Sequence, residues 1–216
     1  MQSNDETTQK PAPEAIPLDH PHLVALERYW QSLRKTETVP QRIAMNPSAI
    51  ESVLPHAFIL QRVAAGTARF RVAGQRIHDL LKMDPRGMPF STLFQQQTHD
   101  DLRELTEAAF ADPAIVGLPL VSDGGVLRPG LSGALLLLPM RDTAGETTRL
   151  LGAFVTGDHA SRRPRRFRIA LDQATRVDPL GPKRPVMTLL NTPPDRIEKG
   201  PDTPSRPALK LVVNNG

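Results

Sequence analysis

The sequence contains no cysteine, and this absence excludes several kinds of chemistry. Without a thiol the chain forms no disulfide, no thiolate metal site and no cysteine nucleophile. Aromatic residues are also scarce, at 4% of the chain, and hydrophobic residues make up 39% of its 216 residues. This apolar content fills one ordinary core but not two, so we expect one globular domain with tails.

Long hydrophobic runs are missing as well. No apolar run reaches the roughly 20 residues that span a bilayer as a helix. The start of the chain is polar and acidic, whereas a secretory signal begins with basic residues followed by an apolar stretch. These absences predict a cytoplasmic protein.

Proline and charge are distributed unevenly along the chain. From Ser161 onward there are twelve Lys and Arg against five Asp and Glu, a net charge of +7, which leaves −3 for the rest of a chain with net charge +4. We therefore predict a disordered N-terminal segment at 1–18, a folded domain at 19–160, and a basic, proline-rich and largely disordered tail at 161–216.

The centre of the predicted domain is the stretch Leu131–Thr156. Two apolar runs of strand length flank the polar segment 141–146, a pattern that predicts an antiparallel hairpin. The first run is continuously apolar, so both of its faces need cover from elsewhere in the chain.

A helix is predicted near the start of the domain, with Asp19 as its N-cap and Pro21 in its first turn. Leu23, Leu26, Trp30 and Leu33 follow at helical spacing and form one apolar stripe. This stripe requires a partner surface, which is either a face of the sheet or a second copy of the helix, so these four residues are candidate interaction residues.

The remaining pattern places a helical block between two groups of strands. A short helix is predicted at 46–53, strands at 57–63 and 68–73, helices at 75–83 and 98–112, and a strand at 115–121 ahead of the hairpin. Phe70 and Val72 alternate with arginines, as in a strand with one face in water. This order predicts an α+β fold with an antiparallel sheet.

This order of elements comes with a series of short segments along the chain. They are Tyr29-Trp30, Pro40-Gln41-Arg42 with Asn46-Pro47, 54–59 (LPHAFI), 69–74 (RFRVAG), 86–90 (RGMPF), 136–139 (LLLP) and 150–153 (LLGA). The order of elements resembles the PAS fold, a five-stranded antiparallel sheet with short helices on one face. With these segments the chain is most similar to a family of small single-domain bacterial PAS proteins, PAS_5, also called DUF1457.

The resemblance implies a stand-alone sensory or interaction module without a defined catalytic residue. PAS domains bind haem, flavin or small metabolites between sheet and helices, or bind nothing and act by dimerising. The absence of cysteine excludes the covalent flavin adduct of the light-sensing members. The candidate pocket residues are Phe70, Val72, Ile77, Leu81, Leu105, Leu136 and Phe154.

Other candidate sites each have a simpler structural interpretation. His78 or His99 could be an axial haem ligand or an ordinary histidine near a helix end. His20-Pro21-His22 is the only close histidine pair, and helix capping explains it better than metal binding. The segment 84–87 could be a pocket lip, a partner contact, or a turn whose glycine is left-handed.

The tail offers two further candidates. Arg162, Arg163, Arg165 and Arg166 could contact nucleic acid or an anionic membrane, could dock a protein, or could belong to a solvated tail. The apolar run 209–213 either adds a strand to a sheet edge or stays disordered.

Together these features predict a non-enzymatic PAS-type regulator that acts by protein association, with itself or with a regulatory protein, and is open to modulation by a small ligand. No metal and no cofactor is predicted. The alternatives are a haem- or metabolite-binding sensor and a polyanion-binding adaptor that uses the arginine-rich tail.

Overall fold

An antiparallel sheet forms the centre of the fold in the computed structural model, which describes residues 15–35, 38–124, 129–157, 163–170 and 172–180. The five long strands are β1 (Ala57–Ala64), β2 (Thr67–Ala73), β3 (Ala114–Ser122), β4 (Leu131–Arg141) and β5 (Thr147–Thr156), in the spatial order β2-β1-β5-β4-β3. All of their pairings are antiparallel. The predicted α+β class and antiparallel sheet are confirmed, and the elements follow one another along the chain in the predicted order.

A helical block covers one face of the sheet, which we call the inner face. It contains α2 (Gln75–Leu81), 3₁₀ helices at Phe90–Leu93 and Gln96–Thr98, and α3 (His99–Ala111). These elements lie between β2 and β3 in the chain, as in a PAS-like fold. Their apolar side chains form one cluster with the inner-face residues of the strands.

The first helix, α1 (Pro21–Arg34), covers the opposite, outer face. Leu23, Leu26 and Trp30 are completely buried and pack in a second cluster with outer-face residues of β4 and β5. The Trp30 indole Nε1 donates a hydrogen bond to the Pro139 carbonyl oxygen on β4, at 2.8 Å. The apolar stripe of α1 was predicted to pack on a face of the sheet or on a second copy of the helix. In the structure it packs on the sheet of the same chain. These three candidate interaction residues are internal, and Leu33 is half-buried.

The hairpin of β4 and β5 explains why its first strand is so continuously apolar. Leu135 and Leu137 point into the inner cluster, whereas Leu136 and Leu138 point into the outer cluster beneath α1. Both faces are covered, so no position on this stretch of β4 requires a polar residue. At the turn, the Asp142 carboxylate accepts hydrogen bonds from the Ala144 and Glu146 amides and from Thr148 Oγ1.

Two short strands, β6 (Arg168–Ile169) and β7 (Arg176–Pro179), pair with β3 along the edge that faces away from β4. The sequence assigned these residues to the tail, but in the structure they belong to the sheet. Pro119 lies between the two pairings and its carbonyl oxygen accepts from the Ala170 amide. Because proline has no amide hydrogen, it interrupts this edge, as expected for proline at an edge position. The apolar run 209–213 and residues 1–14 lie outside the described residues.

No helix in the described part of the chain is long and apolar enough to cross a membrane. The short helix predicted at 46–53 is present as a 3₁₀ helix, Pro47–Ile50, and the Asn46 side chain caps it by accepting from the Ser48 amide. The N-cap of α1 is His20 rather than the predicted Asp19, because the His20 side chain accepts from the His22 amide.

The position of Trp30 yields a test of the outer layer. We expect Trp30→Ala to reduce the free energy of unfolding by about 3–5 kcal/mol, because it leaves a cavity under α1. Trp30→Phe should cost about 1–3 kcal/mol, since it keeps a ring but leaves the buried Pro139 carbonyl without its donor. Urea denaturation followed by circular dichroism measures both, and Arg28→Ala on the exposed side of α1 is the control. Equal stability of Trp30→Ala and the control would contradict the packing of α1 on the sheet.

Candidate functional site

The space between the sheet and the helical block is filled by phenylalanine rings. Phe58, Phe70, Phe90 and Phe94 form a chain of contacts with ring centroids 5.2–5.8 Å apart. Gly152 on β5 makes room for this cluster, because a Cβ there would lie 2.3 Å from Cζ of Phe58. A haem in this space would have to displace several of these rings.

The candidate pocket residues do not all lie in this space. Phe70, Ile77, Leu81 and Phe154 are buried in the inner cluster, and the half-buried Leu105 packs against it. Leu136 lies in the outer cluster instead, because side chains alternate along β4 and its neighbours Leu135 and Leu137 occupy the inner face.

Val72 is also on the outer face, and its side chain is 57% exposed. The reason is a β-bulge: Ile59 pairs with Val72 and Leu60 pairs with Phe70, so Arg71 is an additional residue in β2. The bulge breaks the alternation from which Phe70 and Val72 were predicted to share a face.

A groove of about 510 Å³ lies beside this bulge and contains four arginines. Its lining includes Arg42, Arg71, Arg86 and Arg149, with apolar surface from Ile59 and Val72. We call it the arginine groove. Its charged side chains come from a short 3₁₀ helix before β1 (Arg42–Ala44), the bulge of β2, the loop after α2 and strand β5.

The charge of the arginine groove is poorly compensated. None of the described residues that line it is acidic, and the ion pairs between described residues involve Arg62, Arg168 and Arg176 instead. Burial lowers the pKa of Arg149, and the positive charges of Arg71 and Arg42 lower it further against the opposing effect of Asp142. The groove is therefore a region of concentrated positive charge.

Asp142 is the acid that acts on Arg149, but its oxygens are already occupied. They accept from two amides and one hydroxyl of the hairpin turn, and these bonds, with Thr148 the largest contributor, lower the pKa of Asp142. Arg149 donates to the Thr148 carbonyl and hydroxyl oxygens, at 3.1 and 3.2 Å. These bonds hold its guanidinium in place at the rim of the hairpin.

A second cleft, of about 540 Å³, lies where the start of α1 meets the end of β5. His20, His22, His56 and Arg76 contribute to its lining. The rings of His22 and His56 stack, with centroids 4.6 Å apart, and His20 follows at 5.3 Å from His22. Nδ1 of His56 lies 3.2 Å from the Phe154 carbonyl oxygen. We call these three side chains the histidine stack.

Within the part of the chain that the structure describes, no group of three or more His, Asp or Glu side chains is arranged to hold a metal ion. The histidine stack instead brings three imidazole rings together without a carboxylate between them. Burial lowers the pKa of both His20 and His56, and the neighbouring His22 lowers each of them further. Arg76 also lowers the pKa of His56, whereas the hydrogen bond with the Phe154 carbonyl oxygen raises it. Asp19 raises the pKa of His20.

Comparison with known protein families identifies the family of the chain. The PAS_5 family model, described as a PAS domain, matches residues 18–155. The chain belongs to the PAS_5 family. A search of curated proteins finds no match to it. PAS domains are in general sensory and regulatory modules. Membership of PAS_5 therefore indicates a sensory or regulatory role for the chain in this general sense.

In this PAS_5 protein the arginine-rich segment after β5 is only partly at the surface. Arg163 and Arg166 are exposed, but Arg165 is 2% exposed and its Nη1 donates to the Pro129 carbonyl oxygen, at 3.0 Å. Phe167, which follows, is buried against Phe154 with ring centroids 4.9 Å apart. Arg165 is therefore structural, Arg162 lies outside the described residues, and a polyanion contact through this segment stays a prediction.

Two sites in the PAS_5 domain were not found from the sequence. The histidines of the stack are separated by up to 36 positions, and the groove arginines by more than 100. The sequence did contain one signal for the arginine groove. The segment 84–87 was predicted to be a pocket lip, a partner contact or a turn. Gly87 is left-handed, with φ of 79°, and Arg86 and Gly87 both line the arginine groove.

The His78 and His99 side chains are half-buried. Nε2 of His99 is buried and has no hydrogen-bond partner among the described residues. A haem-ligand role for either histidine stays a prediction, and the filled interior does not favour it.

The histidine stack makes stability depend on pH. The pKa values of His20 and His56 are lowered in the folded state, so the unfolded chain takes up protons first as the pH falls through about 6.5. We expect the urea midpoint of the wild type to fall between pH 7.5 and 5.5, and His56→Gln to lose distinctly less over the same range. His78→Gln, outside the stack, is the control and should behave like the wild type. An unchanged pH dependence in His56→Gln would contradict this assignment.

Proposed function

We propose that the chain is a non-enzymatic PAS regulator that associates with an acidic surface of a partner protein through the outer face of β1 and β2. Membership of the PAS_5 family supports a sensory or regulatory role. The observation that carries the finer proposal is the arginine groove, which combines concentrated positive charge with exposed apolar side chains on one face.

The layout of the outer face supports this location. Helix α1 packs over β4, β5 and the start of β1, where the apolar residues are buried. Beyond it, Val63 on β1 is 50% exposed, Val72 on β2 is 57% exposed, and Ile43 beside Arg42 is 76% exposed. Of these, Val72 lines the arginine groove, and Ile43 lies with Arg42 and Arg149 in the pocket beside it. Exposed apolar side chains next to arginine are typical of interfaces, where arginine is enriched.

Charge favours one of the two kinds of partner, a second copy of the chain or a regulatory protein, that the sequence left open. A second copy that used the same face would bring its own four arginines against these four, and like charges at an interface cost several kcal/mol. An acidic partner gains from the same arrangement. We therefore favour a regulatory protein with an acidic contact surface over self-association through this face.

Affinity capture with matched variants tests the proposal. We expect wild type and Arg28→Glu to capture the same partner, and Arg71→Glu with Val72→Asp to bind it at least tenfold more weakly, a loss of about 1.4 kcal/mol or more. The interaction of the purified pair should weaken as salt increases.

Light scattering and circular dichroism complete the experiment. All variants should be monomeric and folded at the concentrations used for capture. A wild-type dimer that the double variant dissociates would replace the acidic partner with a second copy of the chain. A partner that the double variant and the wild type capture equally would overturn the location of the contact.

A further inference from the structure

We propose that the arginine groove is a binding site for a small ligand that carries a diphosphate or two closely spaced phosphates and a planar ring. This inference rests on the proposed function only for its regulatory consequence. Binding of the ligand itself requires nothing beyond the groove.

Charge defines the first half of the ligand. Arg42, Arg71 and Arg86 are exposed and have no ion pair with a described residue. Together with Arg149 they bring four guanidinium groups to one groove. A guanidinium binds phosphate through two parallel hydrogen bonds and stays charged at any physiological pH. Four such groups match several negative charges better than the single charge of one carboxylate.

Shape limits the size of the ligand. The volume of about 510 Å³ falls in the range of about 300–1,000 Å³ that is typical of small-molecule sites. A ligand of nucleotide size therefore matches the volume of the groove.

The apolar lining defines the second half of the ligand. Ile59 and Val72 lie on neighbouring strands as a directly opposed pair, and they form an apolar surface between the arginines. A planar ring can pack on these two side chains while a guanidinium plane stacks on its other face. Inorganic phosphate uses none of this surface, so a ring with attached phosphates is the better fit.

The groove is also positioned before any ligand arrives. Arg149 is on a central strand and is held by Thr148, and Arg71 is at the bulge of β2. The loop of Arg86 is fastened to β2, because the Phe70 amide donates to the Met88 carbonyl oxygen at 3.0 Å and the Gly87 amide donates to the Phe70 carbonyl oxygen at 2.8 Å. Because this part of the site is built in advance, binding orders mainly the three exposed arginine side chains.

Occupancy of the groove changes what the outer face presents to a partner. The free face is positive, and bound phosphates neutralise it. A ligand that binds the free chain better than the partner complex must weaken the complex by the same factor. In this way the ligand would release an acidic partner.

Calorimetric titration of the full chain with ADP, GDP, pyrophosphate and adenosine tests the site without a partner. We expect ADP or GDP to bind at least tenfold more tightly than pyrophosphate, and adenosine to bind least. Arg71→Gln with Arg86→Gln should weaken nucleotide binding at least tenfold. The matched control Arg28→Gln should stay within twofold of the wild type.

Other outcomes overturn the proposal in separate ways. No binding of either nucleotide, or equal binding by the double variant and the control, would remove the site. Equal affinity for pyrophosphate and ADP would overturn the proposal that the groove binds a planar ring. Tighter binding of an oligoglutamate peptide than of either nucleotide would assign the groove to the partner alone. Failure to find a protein partner would leave the titration unaffected, so the two proposals fail independently.

Discussion

The burial of β4 on both faces is the constraint on which the structure depends. A strand with leucines at 135, 136, 137 and 138 places apolar side chains on both sides of the sheet. Water must be excluded from each side, so the fold needs two covering layers. The helical block supplies the inner layer and α1 supplies the outer one, where the Trp30 hydrogen bond to Pro139 satisfies a buried carbonyl of the same strand. Since α1 covers only part of the outer face, the remainder is available for function.

Much of the fold follows from periodicity and turn residues. The five long strands, the helical block and the hairpin were all predictable, because each is an apolar run or a repeating apolar pattern bounded by proline or glycine. The bulge at Arg71 was not predictable, since one extra residue in a strand does not change the amino-acid pattern in a recognisable way. Strands β6 and β7 span two and four residues, and their pairing depends on the edge of β3 rather than on their own pattern.

The candidate sites were less predictable than the fold for a related reason. Arg71 alternates with apolar residues and is indistinguishable in sequence from any solvated strand residue. Arg149 follows a turn and Arg42 begins a three-residue 3₁₀ helix, and charged residues are common at such positions. Only the sheet pairings place β5 beside β1 and β1 beside β2, and these pairings bring the arginines to one groove. Long-range pairing of this kind is the information that local sequence lacks.

The pairing of β3 with residues 168–179 has a practical consequence for expressing the domain. The match to the family ends at residue 155, but the outer edge of β3 is covered by strands that lie beyond it. A fragment cut at the family boundary would expose a row of unpaired backbone amides and carbonyls on an apolar strand, and such bare edges promote aggregation. The stable folding unit therefore extends to about residue 180, past the limit that recognition of the family suggests.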